Sequence, residues 1–538
     1  MSYLKKQAFV PLALSALVTL SACSTVDASE PISSSAQTVP AESTPAESAV
    51  SSTSDTAENS SELFTDRDLE IGYDEETSAW ITLSGDSASS DSDAVQISGS
   101  TVTITDEGTY ILSGVLNNGM VVVSAEDTDK VQLVLNGVQI TNETSAAIYI
   151  PEADKVFITT VDGTENVLTN GRTCSAIDDN NIDAVIFSKS DLTLNGAGTL
   201  TINAAAGHGI VSKDDLVLTS GTYVITAASH GLSGKDSVRI ANGSYTITAG
   251  KDGIQAENTD DASLGYLYIA GGTFAITAEG DGLSASGYLQ VEDGDVTITT
   301  GAGGASVTMT TDTFGTGKAG GFPTQDAATQ TAATEEDSVS QKGIKADGTI
   351  TLSGGNFALD TVDDAIHAGG DILVTGGAYD LQSGDDAVHS DAAVTIQNGT
   401  FTIPYCYEGI EGLSIAIDGG TFAITSVDDG INAAGGADSS GFGGARPGQE
   451  QFSASSDSAI TINGGDFVIV STGDCVDSNG ALTINGGTLD LTCNGSGNTA
   501  IDCDGTYANN GGDVTTNDGS ESNPGQMGGG MGQGRGGR

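Results

Sequence analysis

Two short motifs in this chain combine two carboxylates with an imidazole. They are Asp-Asp-Ala-Ile-His at residues 363–367 and Asp-Asp-Ala-Val-His at residues 385–389, and they start 22 residues apart. Carboxylates and imidazoles bind metal ions, and they also act as general acids and bases. The motifs therefore suggest either a pair of metal sites or a pair of catalytic sites. The choice depends on the residues at equivalent positions elsewhere in the chain.

A small residue followed by an aliphatic one recurs along the chain, and this aliphatic residue serves as the reference for aligning the repeats. Acidic residues stand three or two positions before this aliphatic residue, or one position after it. Carboxylates stacked in neighbouring repeats would repel by about 4 kcal/mol per pair at an effective dielectric of 20. A bridging cation removes that repulsion, and calcium accepts six to eight oxygen ligands. We therefore expect calcium ligands at Asp363, Asp364, Asp385, Asp386, Glu408, Glu411, Asp428 and Asp429.

Two other interpretations of these residues stay open. Asp and Gly favour turns, so each acidic pair also fits a simple turn between strands. Zinc held by His367 and His389 is the second alternative, since imidazole is a common zinc ligand. The next equivalent positions hold Glu411 and Asn432 instead of histidine. The oxygen-bearing side chains persist where the histidines do not, which favours calcium over zinc.

Lysines and tyrosines are the candidates for contact with carbohydrate. Lys189, Lys213 and Lys235 stand at equivalent positions of successive repeats, each close to an aspartate. Such a row forms either alternating surface ion pairs, each worth under about 1 kcal/mol, or a groove for carboxylated sugars. Several Phe and Tyr residues share one phase of the repeat and are expected in the core. Tyr405 and Tyr407 do not share it and are candidate sugar platforms.

The aliphatic reference residues reveal a repeat of about 22 residues. Glycine-containing turns recur beside them, and the flanking segments alternate apolar and polar residues with the period of a β-strand. A repeat of this length indicates a solenoid. The reference residues are Ile148, Ile186, Ile210, Leu232, Ile254, Leu283, Ile344, Ile366, Val388, Ile410, Ile431, Val476 and Ile501.

Three short strands per repeat predict an all-β fold, a single-stranded right-handed parallel β-helix whose coils stack about 4.8 Å apart. A calcium-binding β-roll is the alternative, but its nine-residue repeat does not fit the period. Two Gly-rich, polar segments, 301–341 and 435–456, interrupt the repeat and are predicted to be loop insertions. We expect the β-helix over residues 76–510 and a disordered Gly-rich tail over residues 511–538.

The N-terminal residues predict export and lipid attachment. Two lysines precede an apolar run that is short for a transmembrane helix, and Leu-Ser-Ala-Cys at residues 20–23 resembles the lipobox of bacterial lipoproteins. We therefore expect a signal peptide over residues 1–22 and lipidation of Cys23; an ordinary secretory signal is the alternative. Residues 23–75 are predicted to be a disordered Ser/Thr/Pro-rich stalk. These features place the protein on the extracellular face of a bacterial membrane.

The charge of the chain restricts its partners. It carries 73 acidic and 17 basic residues, a formal net charge of −56. Nucleic acids and anionic membranes need a basic surface, so we expect no nucleic-acid partner and membrane contact only through the lipid anchor. The six cysteines form no Cys-x-x-Cys motif, which gives no indication of a zinc or thioredoxin-type redox site. We expect a monomer.

Several segments resemble the clostridial-type carbohydrate-binding β-helix proteins, a pectate-lyase-like family described as binding cellulose and acidic sugars with calcium. The resemblance extends over residues 75–505 and implies a right-handed β-helix, bound calcium and polysaccharide binding without established catalysis. The segments that carry it are "GTYILSGVLNNG" (108–119), "DKVQLVLNGVQITNETSAAIYI" (129–150), "IFSKSDLTLNGAGTLTI" (186–202) and "GHGIVSKDDLVLTSGTYVITAASHGLSGKDSV" (207–238).

These observations together predict a surface-anchored, calcium-dependent and non-catalytic polysaccharide-binding protein. The first alternative is a calcium-dependent polysaccharide lyase of the pectate-lyase type. A lyase needs a base to remove the proton next to the uronate carboxyl group, and Lys342 and Lys345 are the candidates because they are the basic residues beside the acidic positions. The second alternative is a structural surface adhesin with a protein partner.

Overall fold

The computed structural model describes residues 63–175, 177, 180–309, 340–434 and 458–524. The predicted signal peptide, Cys23 and the insertion at 435–456 lie outside these described residues. All the described residues belong to one compact unit that begins at Glu58. In the described part of the chain, no helix has both the length and the apolar character needed to cross a membrane.

Each repeat forms one coil and contributes a strand to each of three parallel ladders, so the predicted parallel β-helix is confirmed. The first ladder contains the reference aliphatic residues, each paired with its equivalent in the next coil. Its strands are β4 (Thr101–Ile104), β6 (Met120–Ser124), β8 (Ile148–Glu152), β11 (Ala184–Ser188), β14 (His208–Ser212), β17 (Leu232–Gly234), β20 (Ile254–Ala256), β23 (Leu283–Ala285), β26 (Ile344–Ala346), β29 (Ile366–Ala368), the first halves of β32 (Val388–Ile396) and β34 (Ile410–Ile417), β36 (Ile431–Ala433) and β39 (Val476–Ser478).

The second ladder follows a short turn after the first. It includes the second halves of the long strands β32 and β34, which turn from one ladder into the next. Its other strands are β1 (Ala79–Gly85), the first halves of β5 (Gly108–Leu116) and β7 (Lys130–Asn142), β9 (Lys155–Thr160), β12 (Asp191–Gly196), β15 (Asp215–Leu218), β18 (Ser237–Ile240), β21 (Tyr266–Ile269), β24 (Leu289–Val291), β27 (Ile350–Leu352), β30 (Ile372–Val374), β37 (Ala459–Ile462), β40 (Ala481–Ile484) and β42 (Tyr507–Asn509).

The third ladder completes the coil. Two antiparallel strands lie at the N-terminal end of the β-helix: β2 (Ala88–Ser90) pairs with β1 of the second ladder, and β3 (Val95–Ser98) pairs with β4 of the first ladder. After the second halves of β5 and β7, the strands of the third ladder are β10 (Glu165–Asn170), β13 (Thr199–Ala204), β16 (Thr222–Ala227), β19 (Ser244–Ala249), β22 (Thr273–Ala278), β25 (Asp295–Thr300), β28 (Asn356–Thr361), β31 (Ala378–Ser383), β33 (Thr400–Cys406), β35 (Thr421–Ser426), β38 (Asp466–Ser471), β41 (Thr488–Cys493) and β43 (Asp513–Thr516).

The core is a set of side-chain stacks that run along the helix axis. Alternate residues of each strand point inward, and reference residues such as Ile366 and Val388 are at most 1% exposed. In the third ladder the aromatic rings stack face to face, with Phe401 centred 4.5 Å from Tyr379 and 5.0 Å from Phe422. The turn before them needs glycine, since Gly377 has φ +105° and a Cβ there would lie 2.9 Å from the Tyr379 hydroxyl. The prediction that these aromatics form core is confirmed.

Residues 63–73 form an N-terminal strap that crosses the outer face of the second ladder. Its one helical turn, α1 (Asp66–Leu69), is capped by Thr65. The Asp68 side chain is buried and accepts contacts from the Lys155 ammonium at 2.8 Å and the Thr193 hydroxyl at 2.6 Å. Arg239 donates to the Leu63 carbonyl at 2.9 Å. The predicted stalk boundary at residue 75 is therefore wrong, because residues 63–75 include this packed segment.

The predicted insertion at 301–341 lies between β25, which ends at Thr300, and β26, which begins at Ile344. The insertion at 301–341 begins with a packed 3-10 helix, Gly304–Ser306, whose first amide donates to the Asp360 carboxylate at 2.8 Å. At the C-terminal end, β43 and a 3-10 helix, Ser520–Ser522, extend the last coil. The predicted tail therefore begins too early at residue 511. Its Gly-rich part, residues 525–538, lies outside the described residues.

Candidate functional site

One outer surface of the β-helix carries most of the predicted site residues, and we call it the first-ladder face. It is formed by the outward-pointing residue of each first-ladder strand and by the turn residues that precede that strand. The outward residues are in register from coil to coil, so their side chains form one continuous row. The row runs through Gln255, Ser284, Lys345, His367, His389, Glu411, Asn432 and Asp477.

The turn before each strand is held by a carboxylate from the previous coil. The Asp364 carboxylate accepts the backbone N–H of Asp386 at 3.0 Å, and the Asp386 carboxylate accepts that of Glu408 at 3.0 Å. One oxygen of each carboxylate thus aligns successive turns. This confirms that these aspartates stabilise turns between strands, as the turn interpretation predicts. The other oxygen remains on the first-ladder face. The same contact joins Asp252 to Asp281, Asp281 to Lys342, and Asp429 to Asp474.

A lysine ammonium occupies the first expected calcium position. Asp363, Asp364 and Asp385 lie close enough to share one ion. The Lys342 Nζ atom already lies 2.8 Å from Asp363 and 2.6 Å from Asp364, and its side chain is buried. Burial alone would lower the pKa of Lys342, but the attraction of both carboxylates outweighs it and raises this pKa above its ordinary value. This position therefore does not fit a calcium ion, because an internal cation fills it.

A histidine takes the same role one coil further on. His389 is 1% exposed, and its Nδ1 atom lies 2.6 Å from Glu411 and 3.1 Å from Asp386. Burial opposes protonation, but the hydrogen bonds to Asp386, Asp391 and Glu411 raise the pKa of His389 well above its usual range. Asp386, His389 and Glu411 also lie close enough to share one metal ion, so zinc at His389 stays an alternative.

The two histidines also stack, with ring centroids 4.9 Å apart. His367 lies on the outside of this pair, and its Nδ1 atom is 2.8 Å from the Asp364 carboxylate. The sequence predicted them only as neighbours in a stack. The structure makes His389 a buried counter-ion, which the sequence analysis missed.

Two more of the expected calcium ligands are held by neutral groups. The Asn432 amide donates to both oxygens of Glu408, at 3.2 and 3.0 Å. The Tyr407 hydroxyl donates to Asp428 at 2.7 Å, and Tyr407 is only 3% exposed. The prediction of Tyr407 as a sugar platform is therefore wrong. Tyr405 is partly exposed, but its hydroxyl donates to the Val307 carbonyl at 3.1 Å, which ties it to the start of the insertion.

The C-terminal coils contain an acidic group without an internal cation. Asp474, Asp477 and Asp502 lie close enough to share one ion, and in the described part of the chain none of them forms an ion pair. Burial, and then repulsion among these carboxylates, raises the pKa of Asp474 to about 7 and that of Asp477 to about 7. The same causes raise the pKa of neighbouring Asp429 well above its usual range.

This acidic group fits a hard cation better than the eight residues expected from the sequence. Among the described residues, the buried Asn432 Oδ1 atom has no hydrogen-bond partner, and Asn432 pairs in register with Asp477. A sequence signal for the site existed. Apart from Arg446, the chain has no Lys, Arg or His between residues 390 and 524. The calcium ligands expected from the sequence do not include Asp474, Asp477 or Asp502.

Lys345 lies on the first-ladder face, and the three other predicted lysines lie in turns that follow first-ladder strands nearer the N-terminus. Lys345 Nζ is 3.9 Å from Asp281 and 3.8 Å from Asp347, and it lines a groove of about 630 Å³. Lys189, Lys213 and Lys235 are in register, as predicted. The alternating ion pairs with neighbouring aspartates are not formed among the described residues: Lys235 pairs with Asp260 at 2.8 Å, and Lys213 lies 5.6 Å from the Phe187 ring centre.

Comparison with known proteins identifies the family. A family model described as carbohydrate-binding domain-containing protein matches residues 98–387, which is more than half of the chain. The chain belongs to this carbohydrate-binding family. The match includes β4 to β31, the groove beside Lys345 and the Lys342 cluster. The uncompensated acidic group around Asp477 lies beyond it.

Two relatives can be described in more detail. This carbohydrate-binding protein is 39% identical over 153 residues to a carbohydrate-binding domain-containing protein of Acetivibrio thermocellus, an alignment that includes 28% of this chain and 54% of the relative. It therefore spans about half the length of that relative. It is also similar to a solved structure described as a polysaccharide lyase-like protein from C. thermocellum, in a gadolinium derivative. That match has 39% identity and a TM-score of 0.41, and it includes 41% of this chain and 91% of the other.

Proposed function

We propose that this protein binds polysaccharide on its first-ladder face in a calcium-dependent and non-catalytic manner, at the bacterial cell surface. The observation that carries the proposal is the row of outward polar side chains between Gln255 and Asp477 in a member of a carbohydrate-binding family. Its partly exposed members are Gln255, Ser284, Lys345, His367 and Asp477. Sugar hydroxyl groups both donate and accept hydrogen bonds, so a long polar surface with fixed side chains suits an extended glycan.

The calcium ion is proposed to bind among Asp474, Asp477 and Asp502. Their carboxylates supply the oxygen ligands that calcium prefers, and the Asn432 Oδ1 atom is available beside them. Bound calcium would favour the ionised carboxylates and so remove the repulsion that raises their pKa values. Calcium dependence then arises because the C-terminal coils of the sugar-binding face are stable only when this repulsion is removed.

Calcium binding is tested by the melting temperature of the whole protein with millimolar calcium and with chelator. Binding to the native state alone must raise the melting temperature. We expect a rise for the parent protein and a much smaller one for Asp477→Asn. The matched control is Asp490→Asn, because Asp490 follows Asp477 in the same coil and lies on the exposed side of the third ladder. Equal calcium shifts in the parent and Asp477→Asn would remove this site from the proposal.

Polysaccharide binding is tested by a pull-down with insoluble cellulose and with polygalacturonate, each in calcium and in chelator. Retention of the protein that decreases in chelator is the expected result. No retention on either polysaccharide, with or without calcium, would contradict the proposed function and favour the structural adhesin. The lipid anchor is tested by replacing Cys23 with serine and measuring the loss of the protein from the membrane fraction.

A second candidate function is a polysaccharide lyase, and one observation favours it. Lys345 is partly exposed and lines a groove, so it could reach a substrate as the base. Lys342 does not fit this role, because its buried ammonium is held by two carboxylates that favour the protonated form. Formation of unsaturated product from polygalacturonate, measured by ultraviolet absorbance and lost in Lys345→Ala, would establish this second function.

A further inference from the structure

The groove beside Lys345 is a trough that crosses the first-ladder face over three coils. Its floor is the middle coil, where the outward residue of β23 is the small Ser284. In register with Ser284, the long side chains Gln255 and Lys345 rise from the coils on either side. The volume of about 630 Å³ lies within the range of ligand-binding pockets. The trough exists because one coil carries short residues between two coils that carry long ones.

Two polar side chains of the trough, Asp281 and Gln341, are already held in place. The Asp281 carboxylate accepts the Ser340 hydroxyl at 2.7 Å and the Lys342 backbone N–H at 2.8 Å. The Gln341 amide donates to the Glu279 carbonyl at 2.9 Å. Fixed groups lose little conformational entropy when a ligand binds. The trough is therefore a prepared polar surface, in contrast to the exposed lysine row at Lys189 and Lys213.

We propose that this trough binds a segment of uncharged glycan, which lies along the middle coil and across the helix axis. The proposal rests on the proposed polysaccharide-binding function and places its sugar contacts. In the described part of the chain, five carboxylates and two ammonium groups line the trough. Carboxylates accept hydrogen bonds from sugar hydroxyls at no charge penalty, whereas a uronate would add negative charge to a surface that already has an excess of it.

The direction of the bound chain follows from the walls. Gln255 and Lys345 stand about 10 Å apart at two coil spacings, so a single sugar chain fits between them. Beyond Lys345 the face is filled by the stacked rings of His367 and His389. Among the described residues, no Trp, Tyr or Phe lines the trough, so hydrogen bonds rather than ring stacking determine recognition there.

The proposal is tested by filling the floor of the trough. Ser284→Gln places a long side chain between Gln255 and Lys345, which themselves show that long residues are accepted at this position of the coil. The matched control is Ser233→Gln, the equivalent residue of β17, which pairs with Gln255 from the other side and does not line the trough. The whole protein in calcium is titrated with cellohexaose and with a galacturonate hexamer by calorimetry, and folding is verified by the melting temperature.

We expect Ser284→Gln to weaken cellohexaose binding at least tenfold and Ser233→Gln to change it less than twofold. Equal affinities of the two variants for cellohexaose, with polysaccharide binding intact, would contradict glycan binding in the trough but not the proposed function. If the parent binds the galacturonate hexamer more tightly than cellohexaose, the proposal that the bound glycan is uncharged is wrong. If the parent binds neither sugar nor either polysaccharide, the proposed function itself fails and the trough fails with it.

A second variant keeps the test decisive if Ser284→Gln does not fold. Glu279→Gln removes a negative charge at the rim of the trough, where the Glu279 side chain is exposed and forms no hydrogen bond within the described ranges. We expect it to weaken cellohexaose binding severalfold and to improve binding of the galacturonate hexamer. Its control is Glu152→Gln, an exposed glutamate at the end of β8. An unchanged ratio of the two affinities would overturn the charge argument.

Discussion

Lys342 is the internal cation of the Asp363–Asp364 pair, and its removal is predicted to destabilise the whole central part of the β-helix. Lys342→Met keeps nearly the same side-chain volume and length, so the change leaves almost no cavity and acts mainly through charge. It removes two short ammonium–carboxylate contacts, at 2.8 and 2.6 Å. Loss of one partner from a buried ion pair costs about 3–5 kcal/mol. We expect a decrease of that size in the free energy of unfolding at pH 7.

The pH dependence provides a second check. In the parent, Lys342 and His367 outweigh the effect of burial and hold the pKa of Asp364 well below its usual range. That stabilisation is present above the ordinary aspartate pKa and is lost as the pH falls. In Lys342→Met the buried carboxylates have no such partner, so their ionisation becomes unfavourable. The difference between the parent and the variant should therefore be largest near pH 7 and shrink toward pH 4.

The assay is urea unfolding followed by far-ultraviolet circular dichroism at pH 4, 5.5 and 7. The matched control is Lys345→Met, three residues away in the same coil, where the ammonium is partly exposed and its nearest carboxylate oxygen is 3.8 Å away. A surface pair of this kind contributes under about 1 kcal/mol. Equal effects of the two substitutions at pH 7, or a loss for Lys342→Met that does not change with pH, would refute the role of Lys342 as a counter-ion.

Three further predictions concern the core, the acidic group and the strap. Phe401→Ala should lower the free energy of unfolding, measured by urea titration, by about 3–5 kcal/mol. Val468 is exposed, so Val468→Ala should change this free energy by under about 0.5 kcal/mol. Similar losses for the two variants would contradict the stacked core. The pKa values of Asp474 and Asp477 are raised to about 7, so ionisation of these carboxylates opposes folding. The melting temperature in chelator should therefore fall from pH 4 to pH 8, and calcium should flatten this slope. A melting temperature that rises over this range would contradict the repulsion in the acidic group. Asp68→Ala should make the strap at least about tenfold more sensitive to limited proteolysis, since losing a buried ion pair exceeds 1.4 kcal/mol; a parent-like rate would exclude the proposed anchoring.

The parallel coils could be predicted because their residues repeat. Ile366 and Val388 occupy equivalent positions 22 residues apart, and the alternation around them fixes which side chains point inward. Once the register is known, stacking of Phe401 on its neighbours follows without further information. The acidic residues of the first-ladder face were found in the same way, since position in the coil determines the surface to which each side chain belongs.

The partners of those acids could not be predicted, because they depend on side-chain reach rather than on register. The Lys342 ammonium crosses to the next coil and meets Asp363 and Asp364, whereas Lys345 in the same coil stays at the surface. His389 becomes a buried cation only because Glu411 from the following coil closes over it. The strap was missed for another reason. Its main buried polar contact is the carboxylate of Asp68, which stands in a polar segment without the repeat.

The strap also determines where mechanical load enters the rod. Phe64 lies 6.0 Å from Tyr268 in a middle coil, and the strap then runs back toward the N-terminal end, where the Gln132 amide reaches the Gly72 carbonyl. A pull transmitted through residue 63 therefore acts on the side of the rod. It shears the contacts of Leu63 and Asp68 with several coils at once, so the first coil is not peeled from its neighbour. Under a force applied at residue 63, the strap would share the load between these coils before the hydrogen bonds of the ladders are loaded.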